Sequence, residues 1–91
     1  MDCLDFQGKP LHQGDWVIRP ERCACIINLV YSRLEEDPQK TNDENGWAFW
    51  IVTYSSFLKK FGRRGKAERH QSMIRIDESE VPKEIVAAYG K

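Results

Sequence analysis

The sequence predicts a mainly β single domain spanning residues 1–91. It is expected to form a small barrel or strongly bent antiparallel sheet of about four or five strands, with a short C-terminal helix. Three observations carry that prediction. Runs of β-branched, aliphatic and aromatic residues recur between clusters of Gly, Pro, Asn and Asp, the punctuation of strands and turns. The chain has 91 residues, enough for one core and too few for two domains. Val81, Ile85 and Tyr89 make a one-sided helical stripe, with Pro82 at its start and Gly90 at its end.

From Asp5 to Asp15 the chain is rich in turn formers, and Gly14-Asp15 leads into Trp16-Val17-Ile18-Arg19. This β-prone run is a first strand, ended by Pro20, which has no N–H for a ladder. Residues 24–34 are a second strand. Alternation gives Cys25, Ile27, Leu29 and Tyr31 one face, and Ala24, Ile26, Val30 and Leu34 the other. Short apolar runs also fit a buried helix, but the nearby Pro20 and the β-branched content favour the strand. Residues 35–46 bring no apolar side chain to a core and read as an exposed, mobile loop that re-enters a strand through the Asn45-Gly46 turn.

The central strand is Trp47 to Tyr54. Trp47, Phe49 and Ile51 point one way; Ala48, Trp50, Val52 and Tyr54 point the other. A chain this small is expected to have one dry interior, so one aromatic face needs other cover, either a partner or the Val81, Ile85, Tyr89 stripe. After Ser55 to Leu58, the stretch from Lys59 to His70 holds Lys59, Lys60, Arg63, Arg64, Lys66 and Arg69 and reads as a basic loop or hairpin tip. Ser72 to Asp77 alternates as a closing strand, with Ile74 and Ile76 facing in and Met73 and Arg75 facing out. Pro82 to Gly90 is the helix.

Charge is balanced overall, but residues 1–45 hold five basic and nine acidic side chains and residues 46–91 the reverse. Such an asymmetry orients a charged partner. Three cysteines, Cys3, Cys23 and Cys25, do not make a disulfide framework. The Cys23-x-Cys25 pair has no second pair at zinc-ligand spacing, so no metal and no other cofactor is expected. No apolar run approaches the ~18 residues of a membrane span, and the acidic start lacks a signal-like stretch. A cytoplasmic protein without a membrane partner is therefore expected.

The segment Gly8-Lys9-Pro10-Leu11-His12-Gln13-Gly14-Asp15-Trp16-Val17 resembles the opening of small SH3-like barrels, including KOW-type domains, where G-x-x-L-x-x-G-D-x-V turns into the first strand. Met73 to Asp77 followed by a short helix is similar to the end of the same barrels. The KOW pattern expects a glycine in the second strand, and residues 24–34 have none. The resemblance implies an accessory protein of bacteriophage or bacterial type.

No nucleophile or metalloenzyme motif is present. His12 and His70 lie in expected loops, so a non-enzymatic protein is expected. Two binding roles remain. In the first, Trp47, Phe49, Trp50 and Tyr54 anchor another protein, a host or bacterial target inhibited by occlusion, or a second copy in a homodimer. In the second, Lys59, Lys60, Arg63, Arg64, Lys66 and Arg69 neutralise phosphates while nearby aromatics stack on bases.

Overall fold

The computed structural model describes residues 3–23, 26–40, 48–67 and 70–90, with residues 21–23 and 26–28 described by their backbone alone. Six strands form one antiparallel sheet: β1 (Trp16–Cys23), β2 (Ile26–Leu34), β3 (Phe49–Ser55), β4 (Lys60–Phe61), β5 (Gly65–Ala67) and β6 (Ile74–Ile76). One helix follows, α1 (Lys83–Tyr89). The strand order is β4-β3-β2-β1-β6, with β5 also on β3, so the sheet stays open instead of closing into a barrel.

Pro20 does not end the first strand. β1 continues to Cys23, with Pro20 opposite Leu29. The strand tolerates it because β6 flanks β1 only from Trp16 to Ile18, and beyond that point one side of β1 is an edge. The expected basic loop holds two short strands. Residues 56–59 turn the chain, and β4 and β5 return along β3. Between them Gly62, Arg63 and Arg64 oppose only Val52 and Thr53 of β3, a bulge of one extra residue.

The expectation of a single dry interior is overturned, because the sheet buries apolar side chains on both faces. One cluster joins Val17, Leu34, Phe49, Ile51, Ala67 and Met73 to Cys3 and Leu11 of the N-terminal segment. The other joins Trp16, Val81 and Ile85, with Tyr31, Tyr54, Phe61, Ile76 and Tyr89 packed around them. The second face is thus covered by α1 itself. Met73, expected to face out, is buried in the first cluster, whereas Ile76 belongs to the second and Ile74 is half-buried. A two-sided sheet makes both parities of β6 inward.

The segment after β2 is not free of packing either. Pro38 is fully buried, and the Gln39 side chain accepts from Cys3 N–H (2.9 Å) and donates to the carbonyls of Cys3 and Leu11. One amide therefore stitches the N-terminal segment over the first cluster. The Asn45-Gly46 turn lies outside the described residues.

Candidate functional site

Four large apolar side chains remain in water: Phe6 (73% exposed), Leu29 (65%), Phe57 (92%) and Leu58 (58%). The strand registers put all four at the same end of the sheet. β1 and β2 pair with each other out to Cys23 and Ile26, but β6 joins only up to Ile18 and β3 only from Ser32. The pair therefore extends past its neighbours as a two-stranded arm carrying Leu29. β3 runs antiparallel to β2, so its end at Ser55, and the turn with Phe57 and Leu58, lie beside the base of that arm. On the other flank, Phe6 N–H bonds Met73 C=O, just ahead of the Ile74–Ile18 pair.

The turn is built by its own sequence. Ser55 accepts twice, through its carbonyl from Lys59 N–H (2.7 Å) and through Oγ from Leu58 N–H (3.2 Å). These bonds leave Phe57 and Leu58 outside the sheet. Lys59 closes the turn at φ 55°, a left-handed conformation in which glycine would be unstrained. The two cations that follow the apolar tip, Lys59 and Lys60, are both exposed.

The sequence-predicted protein-binding residues are not brought together as one surface. Phe49 is fully buried in the first cluster and presents nothing to a partner. Tyr54 is half-buried on the opposite face, its ring edge-on to Phe61 at 5.4 Å. Trp50 is half-buried, with the Arg64 guanidinium 4.7 Å and the Lys66 ammonium 4.9 Å from its ring centroid. Its aromatic surface is thereby engaged within the chain. Trp47 lies outside the described residues.

Of the basic set, Lys59 and Lys60 sit at the arm end, whereas Arg64 and Lys66 sit around Trp50 further along β3, with Arg63 in the bulge between. All five are exposed along one edge; Arg69 lies outside the described residues. Cys25 is likewise outside them, and Cys23 is described by backbone alone. His12 is exposed in a turn, and His70 Nδ1 lies 2.7 Å from Leu4 C=O.

Sequence reasoning missed Leu29 and Leu58 as surface residues. A signal for the second existed: Phe57-Leu58 stands between Ser55-Ser56 and Lys59-Lys60, two apolar residues enclosed by polar ones. No such signal marks Leu29, because its exposure follows from β3 ending early. Among the described residues no helix is long and apolar enough to cross a membrane. No protein-family model, curated protein or solved structure matches the chain.

Proposed function

We propose that the chain is a non-enzymatic binding module that docks the arm end of its sheet onto an acidic, partly apolar surface of another protein and acts by occluding it. The observation that carries this reading is Phe57, 92% exposed beside Leu58 and followed by two exposed lysines. An aromatic held in water by a turn whose strain sits at Lys59, where glycine would relieve it, is a local rule broken without a gain to the fold. Aromatic anchors ringed by cations are a recurring interface chemistry. The same chemistry fits the bacteriophage-type modulator that the opening motif implies.

A second reading, nucleic-acid binding, is favoured by the line of Lys59, Lys60, Arg63, Arg64 and Lys66 along one exposed edge. One experiment separates the two. Immobilised protein is challenged with nuclease-treated lysate and retained proteins are read by mass spectrometry, beside a Phe57→Ser, Leu58→Ser variant with unchanged circular dichroism. Retention of a stoichiometric protein, lost in the variant and weakly sensitive to salt, is the expected result. Retention of no protein, together with a nucleic-acid shift lost in Arg63→Glu, Arg64→Glu, overturns it in favour of the second reading.

A further inference from the structure

A sheet that stays open must protect its edges, because unpaired N–H and C=O groups template further strands. Three of the four flanks here are closed by visible devices. On β6, Asp5 Oδ2 accepts from Arg75 N–H (2.7 Å) and Phe6 N–H donates to Met73 C=O (2.7 Å), so the N-terminal segment covers it. The β4–β5 flank carries the bulge and the exposed Lys60, Arg63 and Arg64.

The third device is Pro20, and its direction follows from hydrogen-bond parity. Leu34 N–H donates to Asp15 C=O (3.0 Å), and Glu35 N–H donates to Trp50 C=O (2.8 Å). In an antiparallel ladder successive residues point alternately to the two sides. Even-numbered residues of β2 therefore point to β1, and odd-numbered ones to the β3 side. With Val17 opposite Ser32, the odd-numbered residues of β1 face β2 and Pro20 faces outward. Its missing N–H costs no ladder bond and blocks that edge.

Among the described residues the fourth flank has no such device. Beyond Ser32, Leu29 and Ile27 point their main-chain groups to the side that β3 has left, and among the described residues no strand pairs with them there. From Ile26 to Tyr31 the sequence contains no Pro, no Gly and no charge. Leu29, within it, is one of the exposed apolar residues.

We infer that this edge pairs with the same edge of a second copy of the chain, joining two arms antiparallel about a two-fold axis. The stretch favours its own like, because it holds no charge to repel a copy and none to recruit a segment of opposite sign. Parity sets the register: Ile27 and Leu29, the two outward-facing residues, each meet an outward-facing partner within the described arm when Ile27 lies opposite Leu29 of the copy. The overlap is short and falls well under the ~1,200 Å² of stable interfaces, so the dimer is weak and concentration-dependent. The joint uses main-chain groups of β2, whereas the docking reading rests on the neighbouring Phe57 and Leu58 side chains.

The test is amide hydrogen exchange by NMR across a concentration series, with sedimentation velocity on the same samples. Asn28 and Val30, bonded to β1, are protected throughout; Ile27 and Leu29 exchange freely when dilute and become protected, together, as a dimer forms. Leu29→Pro removes an outward donor without touching the β1–β2 ladder and abolishes the dimer, as does Leu29→Lys, which sets two like charges diagonally across the joint. A wild-type protein that sediments as a monomer at every soluble concentration, with Leu29 exchange unchanged, overturns the inference. So does association that survives both substitutions. Protection of Ile27 and Leu29 only when a protein captured through Phe57 is added assigns the edge to that partner and overturns self-pairing, while leaving the docking reading intact.

Discussion

Asp5 is the residue on which the N-terminal segment depends. Its buried carboxylate accepts main-chain N–H from Gln7 and Lys9 at Oδ1 (2.8 Å each) and from Arg75 at Oδ2. An amide at this position keeps one acceptor and adds a donor facing donors. Asp5→Asn is expected to cost about 2–3 kcal/mol in urea unfolding, and a loss below ~0.5 kcal/mol shows that water replaces the carboxylate. Cys3 gives a second residue-scale prediction. Burial pushes its thiol from 9.0 to about 11, so between those values the unfolded chain ionises first and stability falls as pH rises. The loss reaches about 2–3 kcal/mol above pH 11, all of it absent below 9.0. Tyr89 works in the same direction, because its hydrogen bond to Glu35 and its burial raise its hydroxyl above the ordinary value. Urea midpoints measured from neutral to alkaline pH are expected to decline, and the decline to be shallower in Cys3→Ala.

Among the elements, α1 is short, and a seven-residue helix is not stable alone in water. It stays folded because Ile85 is buried against the sheet and Tyr89 is held on three sides. The Tyr89 ring stands 4.3 Å from the Arg33 guanidinium and edge-on to Trp16 (5.7 Å) and Phe61 (5.4 Å), and its hydroxyl donates to Glu35 (2.6 Å). Ile85→Ala is expected to cost about 2–4 kcal/mol, and the half-buried rings beneath, Tyr31 and Tyr54, gain exposure that near-ultraviolet dichroism reads. The β3–β4 turn gives the opposite sign. Lys59→Gly relieves the positive φ and is expected to stabilise by about 1 kcal/mol while weakening whatever binding the tip supports. A Lys59→Gly variant no more stable than the parent removes the strain argument.

At the scale of the whole molecule, two apolar clusters share one sheet, and β1, β2 and β3 each contribute to both. A side chain lost from either cluster loosens strands that the other needs. Phe49→Ala in the first cluster and Ile85→Ala in the second are therefore expected to shift one cooperative transition, seen alike by tryptophan fluorescence and far-ultraviolet dichroism. Two separated transitions would mean that α1 and its face melt on their own.

Local pattern alone identified the mainly β class, strands over Trp16–Arg19, 24–34 and 47–54 that overlap β1, β2 and β3, and the C-terminal helix with its Val81, Ile85, Tyr89 stripe, since a strand's period and a helix's stripe are properties of neighbouring residues. Tertiary pairing decided the rest. It carried β1 through Pro20 by leaving that side unpaired, and it placed two short strands of the basic stretch along β3. It also buried Met73 in one cluster and packed Ile76 against the other by covering both faces, and stopped β3 short of Leu29. Each of these depends on which strands lie next to one another over which residues. That is a sum over contacts distant along the chain, and no window of sequence contains it.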